Sequence, residues 1–244
     1  MYQKLCTEFY DNDKPLANKQ EVDFYGQFFN KEQLILEPMC GTGRLLIPML
    51  EAGFKVHGVD NSIPMLANCK ERLKQRHLNT EIFEASITEM KLSRQYDGII
   101  IPFGSFQLLY PRTVAYKTLE LLHQSLKPGG KLILDMFIPW EAMYLNGEVE
   151  VGEKHTTLLD SSVITQKFNN QANKIEQYSV GHSIYEKKMN DKIIAIEEEK
   201  GHLCWYFLYE FELILEKYGF SNIKRLSKTI DNETLTVYVA EKPS

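Results

Sequence analysis

The sequence predicts an α/β fold, a parallel sheet covered by helices on both faces, and three observations carry that expectation. Short apolar runs alternate with segments of helical periodicity through residues 34–135. The strand-like runs are nearly continuous in apolar residues, Tyr96 to Ile101 most clearly, as in strands buried on both faces. Strand–helix–strand alternation of this kind closes into parallel pairs through right-handed crossovers. With 43% hydrophobic and 25% charged residues over 244 positions, the composition is that of a globular chain able to bury a core without staples.

Taken in order, Met1 to residue 30 reads as a helical N-terminal cap, and Leu34–Leu36 as a short strand ending at Glu37. Gly41-Thr42-Gly43 punctuates it, and Arg44 to Glu51 forms a short helix closed by Ala52-Gly53. Lys55 to Val59 is a second strand, ending at Asp60. Ser62 is placed to cap the next helix, with Pro64 in its first turn and Met65, Leu66, Cys69 and Leu73 on its apolar face. Glu81–Ala85 and Tyr96–Ile101 are the third and fourth strands. Thr113–Leu126 is a helix stopped by Lys127-Pro128-Gly129-Gly130, and Lys131–Met136 is strand five.

The second half changes character. From about Val149 to Lys200 the chain is polar with β-type alternation, which reads as an antiparallel meander of two or three strands. Its reversals are expected at Asn169-Asn170 and Asn190-Asp191. Tyr178, Val180, His182 and Ile184 share one strand face, and Glu197-Glu198-Glu199-Lys200 reads as a solvated edge. A helix resumes near Tyr206 and ends at Gly219, followed by strands at 223–230 and 234–240. The whole chain, 1–244, is expected to form one domain with a β-meander inserted at about 141–205.

Composition narrows the partners. Lys+Arg number 28 against 33 Asp+Glu, a net charge of −5, which disfavours a phosphate backbone as the main partner. The first ten residues lack an apolar signal core and no run approaches the length of a membrane span, so a cytoplasmic protein is expected. Four well-separated cysteines without C-x-x-C pairing read as reduced thiols, with no metal expected.

The chemistry-bearing stretch is Ile35 to Arg44. A glycine-rich turn between a strand and a helix lets a ligand approach the backbone closely and face the helix N-terminus. The dinucleotide form of the motif is broken, because Leu46 stands where Gly-x-Gly-x-x-Gly needs its third glycine. Asp60, at the end of the second strand, stands where an acid accepts hydrogen bonds from ribose hydroxyls. Together they imply a nucleoside-bearing ligand at the carboxyl ends of the strands.

Glu37-x-x-Cys40-Gly41-Thr42-Gly43-Arg44 and Gly58-Val59-Asp60-Asn61-Ser62-x-x-Met65-Leu66 resemble the first two motifs of class I S-adenosylmethionine-dependent methyltransferases. Glu84-Ala85-Ser86-Ile87, Tyr96 to Phe103 and Leu126 to Leu132 continue that resemblance in order. Pro102 to Gln107 and Tyr218-Gly219-Phe220 are similar to small-molecule members, the aminosugar N-methyltransferases among them. The resemblance implies a Rossmann-like, doubly wound, seven-stranded and mostly parallel sheet with an antiparallel last strand. It implies S-adenosylmethionine as cofactor, S-adenosylhomocysteine as product and a small-molecule nucleophile, nitrogen or oxygen, as acceptor. RNA or protein methylation, or cofactor binding without turnover, are its alternatives.

The roles it implies are specific. Glu37 meets the cofactor's amino-acid end, with Met39, Cys40, Gly41, Thr42 and Gly43 forming the loop around the methionine part. Asp60 takes the ribose diol, Asn61 and Met65 the adenine, and Ala85, Ser86 and Ile87 the adenine edge. Pro102 and Phe103 wall the sulfonium pocket, while Phe103, Ser105, Phe106 and Tyr110 line the acceptor side. Tyr10 and His182 are the candidates for a catalytic role, and the meander either covers the pocket or pairs two copies through an edge strand. Three positions depart from the pattern: Met39 replaces a glycine, Ser86 an acid, and Leu108 a histidine.

Overall fold

A computed structural model describes residues 2–90, 92, 94–144, 149–230 and 233–244. Met1 of the expected N-terminal cap and residues 145–148 of the expected insertion lie outside the described residues. The elements run α1 (Lys4–Asp13), α2 (Lys19–Gly26), β1 (Leu34–Pro38), α3 (Leu46–Glu51), β2 (Lys55–Asp60), α4 (Ile63–Gln75), β3 (Ile82–Glu84) and β4 (Tyr96–Ile101). A 3₁₀ turn (Ser105–Leu108) leads to α5 (Arg112–Ser125), β5 (Leu126–Met136) and α6 (Trp140–Tyr144). Then come β6 (Glu150–Thr157), β7 (Val163–Asn173), β8 (Tyr178–Met189), β9 (Lys192–Cys204), α7 (Leu208–Lys217), β10 (Ser221–Ile230) and β11 (Glu233–Glu241).

The main sheet has seven strands in the order β10-β11-β5-β4-β1-β2-β3, with β11 antiparallel to both its neighbours and the remaining pairs parallel. Alternate side chains of each central strand feed two cores. Leu36, Ile99, Ile101, Leu132 and Leu134 pack on one face against α5 and α7, and Ile35, Ile100 and Ile133 pack on the other against α2, α3 and α4. The strand order reverses between β1 and β4, which opens a crevice at the carboxyl ends of the strands where open α/β sheets bind ligands.

The helix starts follow their sequence signals. Ser62 accepts the Met65 N–H and has Pro64 behind it, so α4 starts as its cap predicts. Asn18 caps α2 by accepting the Glu21 N–H at 3.0 Å. Helix α3 starts at Leu46 rather than Arg44, because the glycine turn continues through Leu45.

The inserted segment corrects the sequence reading. It is a separate four-stranded antiparallel sheet, β6-β7-β8-β9, not two or three strands. Asn190-Asp191 is a reversal, both residues at positive φ (48° and 61°), as a tight hairpin requires. Asn169-Asn170 is not: both lie inside β7, paired with His182 and Gly181, and the Asn170 amide donates to Glu150 instead of to its own backbone. The chain turns later, where Asn173 Oδ1 accepts the Glu176 N–H and Gln177 takes a positive φ of 55°.

Helix α1 fastens this second sheet to the first. Leu5, Cys6 and Phe9 pack with Ile164 and Tyr185, and Lys187 pairs with Glu8 at 2.8 Å. Gln3 offers α1 no side-chain cap; Glu197 of β9 does so from outside, accepting the N–H groups of Leu5 (2.6 Å) and Cys6 (3.2 Å). β9 is an edge strand, but Glu197 on it is a tether and not a solvated charge.

Candidate functional site

The loop after β1 is shaped by three departures from ordinary backbone at alternate positions. Met39, Gly41 and Gly43 all have positive φ, at 59°, 54° and 80°. A Cβ on Gly43 would meet Cys69 Sγ at 2.8 Å, and one on Gly41 would crowd Met65 Sδ at 3.1 Å, so at positive φ both positions favour glycine and Gly43 most strongly. Met39 holds the same left-handed conformation with a side chain, at a cost of about 1–3 kcal/mol. The glycine common at that position in the resembling family would suit this backbone, and Met39 keeps the geometry without it.

Asp60 seats the loop. Its Oδ2 accepts the Gly41 N–H and its Oδ1 the Ser62 N–H, both at 2.8 Å. Burial raises its carboxyl above the usual carboxylate range, opposed by those backbone donors. Ser62 Oγ in turn donates to the Tyr2 carbonyl at 2.7 Å, so the N-terminal segment crosses this edge of the site. Glu37, at the end of β1, is 3% exposed, and its Oε2 has no hydrogen-bond partner. Burial pushes this carboxyl well above its ordinary value. A buried carboxyl oxygen left unmatched at the mouth of a glycine loop is an acceptor awaiting a donor.

Behind the loop, Arg44 folds back and forks onto Glu21 of α2 with contacts of 3.0 and 2.8 Å. Cys40 and Cys69 meet through their thiols, and that contact together with burial raises the Cys40 thiol. All four cysteines are buried and free. Arg72 of α4 reaches Thr42 Oγ1 at 3.0 Å and Asp11 of α1 at 3.1 Å, and Asn68 also donates to Asp11. Helix α1 is thereby tied to the loop and to α4, and it places Tyr10 beside Arg44 and Glu37. Burial raises the Tyr10 phenol to about 12, against the pull of Arg44.

The remaining expected residues divide into those the fold gathers near the loop and those it does not. Ala85 is gathered by its N–H, which donates to the Asp60 carbonyl. Ser86 turns the chain there, its hydroxyl engaged with Thr88 at 2.8 Å. Met65 and Ile87 are buried and Asn61 is exposed. Pro102 ends β4, and its carbonyl accepts from Ser105 Oγ. Phe103 is half-buried, with its ring face against the Arg44 guanidinium, 3.9 Å from the centroid.

Phe106 is fully buried against Tyr206 and Phe211, as part of the core behind α5 and α7. Tyr110 stacks flat on His202 at 3.9 Å and meets Tyr178, which ties the 3₁₀ turn to the second sheet. His182 faces Glu198 at 2.7 Å on that sheet.

Three residues of the site were not singled out by their sequence context: Glu21, Tyr25 and Lys228, all buried. Asp135, at the end of β5, accepts from Phe103 N–H (2.9 Å) and Tyr25 OH (2.6 Å), and Lys228 of β10 pairs with it. Gln107 is likewise structural. Its amide joins the Phe137 backbone and the Cys204 carbonyl, each at 2.9 Å, and so locks the end of β5 to β9.

Residues 35–130 match the model of a methyltransferase-domain family. Over its full length the chain superposes on the sugar N-methyltransferase KedS8 from Streptoalloteichus sp. with a TM-score of 0.79, covering 94% of that chain at 15% identity. In sequence it is 36% identical over 121 residues to a glycine/sarcosine N-methyltransferase of Halorhodospira halochloris, 48% of this chain and 45% of that protein. It is also 30% identical over 136 residues to a putative methyltransferase of Geobacillus sp., 55% of this chain and 54% of that one. The chain thus spans about half the length of these curated relatives. No helix among the described residues is long and apolar enough to cross a membrane.

Proposed function

We propose that the chain is an S-adenosylmethionine-dependent methyltransferase acting on a nitrogen or oxygen of a small molecule. The observation that carries this reading is the loop Met39–Gly43, held in left-handed backbone on Asp60 beside the unmatched carboxyl of Glu37. The residues present suit the cofactor: an acceptor for its ammonium at Glu37, close backbone approach at Gly41 and Gly43, and a carboxylate for its ribose diol at Asp60. Asn61, Met65, Ala85, Ser86 and Ile87 would border the adenine. Ser86 offers a hydroxyl already shared with Thr88, a weaker and uncharged partner than an acid.

Bound there, S-adenosylmethionine supplies an electrophilic methyl carbon on a sulfonium. The acceptor's lone pair forms the bond to that carbon as the carbon–sulfur bond breaks and its electrons return to sulfur. An amine must therefore arrive neutral, and it releases its proton after transfer. The chain contributes alignment and exclusion of water, which suffice for in-line displacement without a nucleophilic side chain. Phe103 walls the methyl side of the pocket, and α1 covers it. Burial raises the Tyr10 phenol to about 12, so at neutral pH it would meet an acceptor as a hydrogen-bond donor. Ser105 and Tyr110 are the remaining candidates for contact with the acceptor.

The small-molecule reading draws on α1, which is tied to the glycine loop and α4 through Asp11 and Arg72, and on the net charge of −5. Incubating the protein with cell extract and methyl-tritiated S-adenosylmethionine, then sizing the label, tests it. Label is expected below about 1 kDa, in the size range of small-molecule ligands. Label in RNA or protein would overturn the substrate class, and no label from any extract would overturn the activity.

A further inference from the structure

We propose that Lys228 and Asp135 are positioning residues for methyl transfer, acting through Phe103. The proposal rests on the reading of Phe103 as the wall of the methyl pocket. Lys228 is 4% exposed and Asp135 fully buried, and they belong to strands separated by β11. Desolvating such a pair offsets most of what its attraction returns, so closing the sheet alone would be served equally by two apolar side chains. What the pair does that apolar side chains could not is present a carboxylate oxygen to one particular backbone donor. Asp135 Oδ2 accepts the N–H of Phe103, and Lys228 and Tyr25 hold that same oxygen from behind.

Phe103 needs the hold. It sits at φ 57°, in a left-handed conformation that a bulky residue adopts only when its surroundings impose it. Asp135 fixes its backbone while Arg44, itself forked onto Glu21, lies on its ring. The two supports are joined, because Lys228 Nζ is also 3.6 Å from Glu21 Oε1. Glu21 and Arg44 bring in α2 and the glycine loop, and Lys228 brings in the terminal hairpin. The aromatic wall is therefore set by α2, the glycine loop, β5 and the terminal hairpin at once, with Lys228 Nζ 5.5 Å from the Phe103 ring centroid.

The test uses the full chain labelled with 15N-phenylalanine, with the Phe103 amide assigned by its loss in Phe103→Leu. Wild type should show that amide strongly protected from exchange, and Lys228→Met should reduce its protection at least about tenfold, while Lys228→Arg retains it. In calorimetric titration with S-adenosylmethionine, Lys228→Met should bind about tenfold more weakly and Lys228→Arg within about threefold of wild type. Because Lys228 acts by placing the Phe103 ring, the double variant F103G/K228M, which has no side chain at 103 to place, should bind no more weakly than F103G alone, within about twofold.

Losses that multiply in the double variant would overturn the proposal. So would an unchanged Phe103 amide in Lys228→Met. If Lys228→Met fails to fold, D135L/K228M, which leaves no buried charge unpaired and no acceptor for the Phe103 N–H, carries the same comparisons. Should wild type bind no S-adenosylmethionine, the cofactor reading falls, and amide protection alone still decides whether the clamp exists.

Discussion

Replacing Asp60 with alanine is expected to weaken S-adenosylmethionine binding by about a hundredfold or more, since two charge-assisted bonds at roughly 1.5–3 kcal/mol each are lost. The loss has two sources. The carboxylate is the acceptor proposed for the ribose diol, and it also holds the Gly41 and Ser62 N–H groups, so the loop and the start of α4 lose their common anchor. Asp60→Asn keeps one oxygen acceptor and should cost less, about tenfold. Titration calorimetry on both variants, with thermal unfolding to confirm that each is folded, measures the difference. Alanine binding within about threefold of wild type would show that Asp60 seats the loop without meeting the ligand.

The largest stability effect should come from Glu21→Leu. Glu21 is 1% exposed and carries both guanidinium contacts of Arg44, so its removal leaves a buried cation alone. Breaking one side of a buried pair typically costs about 3–5 kcal/mol. For a chain of this size that lowers the melting temperature by on the order of 10 °C. E21L/R44M removes both charges and should recover a large part of the loss, since the pair's mutual attraction and its desolvation nearly offset. Denaturant or thermal unfolding of the three proteins decides the matter. A double variant as unstable as E21L alone would mean that the packing of α2, rather than an unpaired charge, was responsible.

These two residues also mark the boundary of what the sequence could reveal. Asp60, Gly41 and Gly43 were legible because their signals are local: a strand end, a turn, a helix start, each within a few residues. Ser62 and Pro64 announced α4 for the same reason. Glu21–Arg44 and Lys228–Asp135 were not legible, because their pairing exists only once the sheet has ordered its strands. Lys228 reaches Asp135 over an intervening strand and 93 positions of chain. Nothing in the residues flanking Lys228 on β10 distinguishes it from the neighbouring surface lysines.

The meander failed at one turn and held at the other, and the contrast is instructive. At Asn190-Asp191 two adjacent residues that tolerate left-handed backbone fall where the hairpin must close. At Asn169-Asn170 the same composition was outweighed by pairing, because β6 offers Glu150 to the Asn170 amide and β8 continues the ladder beyond it. Glu197 was misread by the same logic. An acid run on an edge strand is usually solvated, and only the arrival of α1 from the other end of the chain turns one of its members into a helix cap.

The central claim is that the loop from Met39 to Gly43, with Glu37 and Asp60, is a binding site for S-adenosylmethionine. Isothermal titration of the wild-type chain with S-adenosylmethionine and with S-adenosylhomocysteine tests it most directly. Saturable binding of both at one site per chain, lost or greatly weakened in Asp60→Ala, is the result expected. Absence of heat and of competition with either compound, from a chain that melts cooperatively, would contradict it.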